Sequence, residues 1–535
     1  MHHPNLGGAK VFLTKNVMFV RSKKNRSGTT SVVVVEKLRG RYKEIQTIGI
    51  AKDESELSYL RQQGLDWIRR RKLSIQPELD LFGEERRALE YEREMTERVL
   101  SNIDNILLNG TELILDRVFD RIGFNRIEDV VFRKLVQSRL SFPASKAATV
   151  EYLKNYYDED VDLSKIYRYL DKLNDRHKGT VQDISVRHTM EVLGGHIGVM
   201  FYDVTTLYFE TDRQDDLRKT GFSKEGRHSN PQVILGLLVS LDGYPLAYCI
   251  HEGNKYEGHT MLPVIREFAG KYGLDDFIVV ADSGLMSSDN INELEAEGCK
   301  YIIGSRIKNE SEAVKRQILS FDRENGVMHE IDKGHGRRLL VGYSENRARK
   351  DAHNREKGIR RLEKAYRAGH LSKENINRRG YNKFLDMDGN TKVSINYERI
   401  REDERWDGLK GYLTNTVIPT DEVVTAYHNL WNVERAFRIA KSKLEIRPMF
   451  HFTRRRIEAH VCICFVALKV YKELERLLKL NHISMSVDKV LNMAKTVTTI
   501  SIYMPENKTH YVKTMPMKRY KPIEKLFDEE FWVAQ

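Results

Sequence analysis

The sequence predicts an α/β protein built on a mixed sheet, and three observations carry that prediction. Near Gly194 the spacing of apolar residues changes from helical to a β-branched and aromatic run, residues 197–209. Two more such runs follow, residues 233–240 and 246–251, joined by a turn containing Asp242-Gly243, which suits an antiparallel meander. After them the pattern alternates: a helix over 260–272, a strand over 277–281, a helix over 287–297 and a strand over 301–303.

Taken in order from the N-terminus, the first 75 residues are basic, with 16 Lys/Arg against 6 Asp/Glu. Residues 17–20 and 30–35 read as a hairpin around the charged segment RSKKNRSG, residues 41–50 as a third strand, and the stretch from Asp53 as a helix ending in Arg69, Arg70, Arg71 and Lys72. Between residues 84 and 183 apolar residues recur at helical spacing. Residues 144–173 read as two short helices with a polar joint, the second, KIYRYLDKL, capped by Asp162 or Ser164; this fits a helix-turn-helix or any small helical bundle. After the alternating segment, residues 306–410 interrupt the core. They hold strand-like pieces at 338–343 and 393–397 and a polar helical run whose residues 347–380 carry 12 Lys/Arg against 4 Asp/Glu, suited to phosphate contact. Residues 407–416 return to strand character. One long helix is expected over 421–444 and another over 453–478.

Composition narrows the function. A chain of 535 residues implies several domains, and 40% hydrophobic with 31% charged residues suits globular ones. Lys and Arg number 89 against 77 acids, a formal charge of +12 that favours a polyanionic partner. Four cysteines without a C-x-x-C pair exclude a disulfide framework and argue against structural zinc. The most apolar stretch, residues 461–470, is far shorter than the roughly 20 residues that span a bilayer, and no secretory signal is visible, so a cytoplasmic protein with no membrane partner is expected.

No Walker A motif, dinucleotide fingerprint or H-E-x-x-H helix is present. Three acids stand out instead. Asp203 interrupts an apolar strand, where a dry carboxylate would cost several kcal/mol unless it met a partner, a metal or water. Asp282 ends a buried-type strand just before Ser283-Gly284, a common place for a site. Glu434 lies on a helix with two stripes. Leu430, Val433, Phe437, Ala440 and Leu444 make an apolar face, and Tyr427, Trp431, Glu434, Arg438 and Lys441 a neighbouring polar one. An ordinary amphipathic helix with a Glu434–Arg438 pair gives the same pattern. His2, His3, His251 and His460 read as non-catalytic, His460 as a satisfied core histidine.

With these residues in place, the chain resembles bacterial insertion-sequence transposases of the DDE superfamily over residues 194–465. The resemblance rests on YDVTTLYFE around Asp203, VVADSGLMS around Asp282 and the helix around Glu434. The family's Tyr-x2-Arg-x3-Glu-x6-Lys signature falls on Tyr427, Glu434 and Lys441, with Leu430 where Arg is expected. The resemblance implies a ribonuclease-H-like mixed sheet with flanking helices, interrupted by an insertion domain. It also implies a mainly α N-terminal DNA-binding region preceded by a small β-rich basic element. The expected boundaries are 1–75, 76–190, a core of 191–305 and 411–480, an insertion of 306–410 and a tail of 481–535. The implied function is metal-dependent cleavage and strand transfer at the ends of an insertion sequence. Asp203, Asp282 and Glu434 would be both catalytic residues and ligands of Mg²⁺, with Mn²⁺ as a substitute. Tyr427, Trp431, Arg438, Lys441 and Lys443 would contact DNA. The implied partners are double-stranded DNA, as element termini and target, and a second copy in a synaptic homodimer, acting at the bacterial nucleoid. A nuclease or resolvase that only hydrolyses, and a catalytically silent DNA-binding protein, are the alternatives; the intact acidic set argues against the last.

Overall fold

The computed structural model describes residues 17–38, 40–75, 83–223, 226–284, 287–372, 375–377, 380–388, 392–505, 508–515 and 520–526. His2 and His3 lie outside them. The chain forms two compact units, one from 17–108 with 497–515 and one from 109–496 with 520–526.

In the first unit β1 (Val17–Lys24), β2 (Thr30–Leu38) and β3 (Arg41–Ala51) form an antiparallel sheet in the order β1-β2-β3. One face packs against α1 (Glu54–Ile75), where Val32, Ala51 and Leu57 are buried with Val20, Ile48 and Leu60. The other face gathers Phe19, Arg21 and Lys37 around the exposed Tyr42, with both cations 5.7 Å from its ring centre. After α2 (Gly83–Ser101), β4 (Ile103–Leu107) pairs with a strand from the far end of the chain, Thr498–Met504, which pairs in turn with Thr509–Met515. The expected C-terminal tail therefore supplies two of the three strands in that sheet.

In the second unit come α3 (Gly110–Ile122), α4 (Val130–Ser141), α5 (Lys146–Tyr157) and α6 (Leu163–Val192). The expected short helix KIYRYLDKL is only the start of α6. Asp162 caps it by accepting from the Ser164 amide, and the buried positions Ile166, Leu170 and Leu173 continue through Val181, Ile184 and Val186. Residues 109–192 are not separate from the core, because α3, α4 and α6 pack on the long helix Arg454–Leu480.

The central sheet begins with β5 (Val199–Tyr208), β6 (Gln232–Ser240) and β7 (Pro245–Glu252), an antiparallel meander. Then follow α7 (Met261–Tyr272), β8 (Ile278–Ala281), α8 (Ser288–Ala296) and β9 (Lys300–Ser305); β8 runs parallel to both β5 and β9. The segment expected as an insertion holds α9 (Glu312–Ser320), β10 (Met328–Gly334), β11 (Arg337–Tyr343), α10 (Glu345–Arg367), β12 (Leu385–Asp388), β13 (Lys392–Ile395) and α11 (Tyr397–Glu404). It is not wholly apart from the core. Its strands β10 and β11 join the main sheet through β14 (Leu409–Thr414), giving the order β10-β11-β14-β9-β8-β5-β6-β7. Leu362, Phe384, Leu385 and Ile400 make a small core for the remainder.

The expected single helix over 421–444 is two: α12 (Thr420–His428) and α13 (Trp431–Ser442). Between them the Leu430 amide bonds to the Tyr427 carbonyl and the Val433 amide to the Leu430 carbonyl, a three-residue step that interrupts the α-helical ladder. The next helix, α14 (Arg454–Leu480), contains the most apolar stretch of the chain and is buried nearly all round, with Lys469, Lys472 and Glu473 among its buried residues. Among the described residues no helix is long and apolar enough to cross a membrane. Short helices α15 (Val487–Ala494) and α16 (Lys521–Glu524) complete the unit.

Candidate active site

The sheet brings two of the acids together through strand register. In the parallel pair β5·β8 the last matched residues are Tyr202 and Ala281, so Asp203 and Asp282 follow on neighbouring strands, which lie about 4.8 Å apart. Tyr202 and Val204 point into the core around α7, and the Tyr202 hydroxyl donates to Thr260 Oγ1 at 3.0 Å. By pleat alternation Asp203 faces the opposite side of the sheet. That is where α13 crosses β5 and β6, since no buried residue of α13 belongs to the cluster around α7. Asp203 is half-buried and Asp282 exposed at its strand end.

Glu434 is exposed on α13, on a face shared with Arg438 and Lys441 and turned away from buried Val433, Phe437 and Ala440. Asn432 ties this helix to the sheet by donating from Nδ2 to the Leu241 carbonyl at 2.7 Å. Arg435 fastens it to α14 through Glu475, with Nη1 to Oε2 at 2.9 Å. Trp431, 48% exposed, lies against the Arg435 guanidinium, 5.8 Å from its ring centre. Lys443 pairs with Asp488 of α15 at 2.7 Å.

Tyr427 is placed differently from the expected DNA-facing stripe. It sits on α12, before the break between the two helices, and is only 5% exposed. Its hydroxyl donates to Asp282 Oδ1 at 3.1 Å. Burial, then the neighbouring Asp282 charge, holds its phenol protonated well beyond the ordinary range. Gly304 on β9 makes room for it, because a Cβ there would lie 2.5 Å from the Tyr427 hydroxyl.

Two cations that the sequence did not single out complete the picture. Lys410 of β14 lies with its Nζ 4.3 Å from the Tyr427 ring centre and 5.2 Å from that of Tyr412. Burial pushes its pKa down and Arg347 of α10 adds to this, while Asp282 and Glu434 both pull it back up; Lys410 therefore sits within the field of both acids. Asp282, Ser283, Lys308, Arg347, Lys410 and Tyr427 line a cleft of about 490 Å³. The signal for Lys410 was a lysine in an otherwise apolar strand, LKGYLT. Arg347 gave none beyond the basic run. Among the described residues no three Asp, Glu, His or Cys side chains converge closely enough to enclose a metal ion. Strand register puts Asp203 and Asp282 on adjacent strands, and Glu434 shares with Asp282 an influence on Lys410.

Residues 195–469, just over half the chain, match the family described as Transposase DDE domain. Among solved structures, the chain is similar to a cryo-EM structure of the piggyBac transposase synaptic complex with hairpin DNA, at 9% identity and a TM-score of 0.38, covering 68% of this chain and 69% of that one. No curated protein matches the chain.

Proposed function

Because the chain belongs to the Transposase DDE domain family, we propose that it is a DNA transposase that cleaves and rejoins strands at the ends of an insertion sequence. Asp203, Asp282 and Glu434 are its catalytic acids. The observation that carries this is the register of β5 and β8, which sets the two aspartates side by side, with the helix of Glu434 packed across the same strand. The strand order is a meander with β8 and then β9 added parallel beside its first strand; this supports a ribonuclease-H-like core.

The donor set suits a hard divalent cation, Mg²⁺ with Mn²⁺ as a substitute. All the donors are carboxylate oxygens, and Mg²⁺ is commonly held by one or two carboxylates together with substrate phosphate oxygens, so a closed protein cage is not required. Asp203 and Asp282 would hold it, with Glu434 beside them. When bound, the metal activates the attacking oxygen and stabilises the leaving one. The rest falls to the chain. Tyr427 fixes the Asp282 carboxylate, and Lys410 and Arg347 place positive charge in the adjoining cleft, where a phosphodiester must sit. Arg438 and Lys441 extend that charge along the face of Glu434, and the exposed Trp431 offers a surface for an unpaired base.

Double-stranded DNA is the substrate, with two copies of the chain acting in the synapsis of two ends. Support comes from the net charge of +12 and from the Arg21–Lys37–Tyr42 face of the N-terminal sheet, on the side away from α1. Asp203→Asn, Asp282→Asn and Glu434→Gln should each abolish Mg²⁺-dependent nicking of DNA bearing the element's ends while leaving DNA affinity within a few-fold. Undiminished nicking by any one of them would remove that residue from the catalytic set.

A further inference from the structure

We propose that a second site, formed by α4, α5, the 445–451 loop and α14, binds a phosphate group. A cavity of about 130 Å³ there is lined by Arg139, Lys146, Arg447, His451 and His460, with Tyr167, Glu445 and Phe450 around them. Two of the cations, Arg139 and Lys146, are 6% and 5% exposed. Among the described residues no carboxylate lies within ion-pair distance of Arg139, Lys146, His451 or His460. Arg139 uses Nη2 to donate to the Ala144 carbonyl at 3.2 Å. His460, 5% exposed, uses Nε2 toward the Ile446 carbonyl at 3.3 Å, and among the described residues its buried Nδ1 has no hydrogen-bond partner. Its ring lies 5.3 Å from that of His451. The site also includes the start of α5, where the Ser145 hydroxyl caps the Ala148 amide.

Buried cations are normally paired, because an unpaired one loses its hydration without compensation. Here several stand together, and each disfavours charge on the next. Burial, then Arg139, pushes the Lys146 pKa down to about 7. Burial, then Lys146 and Arg139, pushes His451 down to about 4. Burial, Arg139, Lys146 and His451 hold His460 well below its usual range. Cys464 is a weak opposing influence on Lys146 and is itself buried. Such an arrangement is unfavourable alone and favourable around an anion. A tetrahedral oxyanion supplies acceptors for the Lys146 ammonium, the Arg139 and Arg447 forks and protonated His451 and His460. The exposed Ser145 and Phe450 mark an opening through which a phosphate attached to a chain can enter. A backbone phosphate of nucleic acid and free inorganic phosphate share this chemistry. Assignment to nucleic acid rests on the function proposed above, whereas the anion site does not.

The test uses the full chain and inorganic phosphate. Phosphate should raise the melting temperature above that in chloride of equal ionic strength, and calorimetry in two buffers should show proton uptake on binding as Lys146, His451 and His460 charge. Lys146→Met should weaken phosphate binding at least tenfold. It should also leave the chloride melting temperature unchanged or higher, since it removes a buried cation without a carboxylate. If that variant misfolds, His451→Gln, at a half-buried position, should still reduce both affinity and proton uptake. Equal phosphate stabilisation of the wild type and a folded variant, or none in either, overturns the site. A generic DNA duplex then separates the sources. If the occupant is a DNA phosphate, phosphate competes with DNA and the slope of log affinity against log salt falls by about 0.9 in Lys146→Met. An unchanged slope with phosphate binding lost in the variant assigns the site to the free anion. That result leaves the transposase reading untouched, which the aspartate variants test separately.

Discussion

Replacing Tyr427 by Phe removes one oxygen atom, and the structure makes its effects separable. The lost group donates to Asp282 Oδ1 at 3.1 Å and is the contact that fixes that carboxylate from the side of α12. Residues that orient a metal-binding carboxylate typically contribute 10- to 100-fold, about 1.4–2.7 kcal/mol in the barrier. Stability should fall by less than about 1 kcal/mol, because Asp282 is exposed and water can replace the donor, while Phe keeps the ring in its hole beside Gly304. DNA affinity should hold within about twofold, since Tyr427 is only 5% exposed and its hydroxyl is engaged by Asp282. The assay is single-turnover cleavage of end-bearing DNA in saturating Mg²⁺, with affinity from filter binding and melting temperature by calorimetry. Three results would refute the reasoning. Normal cleavage would show that Asp282 needs no such support. A loss of affinity equal to the loss of rate would make Tyr427 a DNA contact. A rate loss that tracks unfolding would make it a packing residue.

The other expectations concern charge. Lys410→Met removes a cation that lies in the field of Asp282 and Glu434, so the acids should bind a divalent ion more tightly, by about 1–2 kcal/mol after screening, or roughly tenfold. Calorimetric titration with Ca²⁺, which reads binding without turnover, checks this, and weaker binding would contradict it. Glu473 lies fully buried on α14, accepting from Tyr244 Oη at 2.6 Å and from Arg476 at 2.9 and 2.7 Å, with His188 at 3.6 Å. Burial alone would raise its pKa, but hydrogen bonds from His188, Arg476 and Tyr244 overcome that and hold it at about 2, below the ordinary 4.5. A depressed carboxylate pKa gives stability that is present above pH 4.5 and is lost as pH falls toward 2. The wild type should therefore lose about 3 kcal/mol over that range from this group. Glu473→Gln should be less stable at pH 7 and should show a shallower decline in acid unfolding; an unchanged acid limb would contradict the assignment.

How much of this was legible in the sequence follows from the range of each interaction. The strands carrying Asp203 and Asp282 announced themselves because burial on both faces requires continuous apolar runs, and a carboxylate within such a run stands out. The break between α12 and α13 did not, because a three-residue turn at Leu430 preserves the spacing of 3 that an α-helical stripe also uses. Tyr427 and Trp431 thus read as one face although one is buried against Asp282 and the other is exposed. Lys469 and Glu473 look like an exposed i, i+4 pair, yet both are 0% exposed; their partners Ser185, Thr189, His188 and Tyr244 come from α6 and the β6–β7 turn, nearly 300 residues away at most. Similarly, no local signal joins β4 to Thr498–Met504, since an edge strand shows what it lacks and not what will pair with it. His460 is the instructive case. Its apolar surroundings in EAHVCICF foretold burial, and burial came with one ring nitrogen bonded to Ile446, as expected of a core histidine. The residue also lines a cavity whose buried cations, Arg139 and Lys146, are contributed by α4 and α5, more than 300 residues earlier in the chain. Periodicity reports whether a side chain leaves water; the charge waiting for it there is set by segments that only the fold brings together.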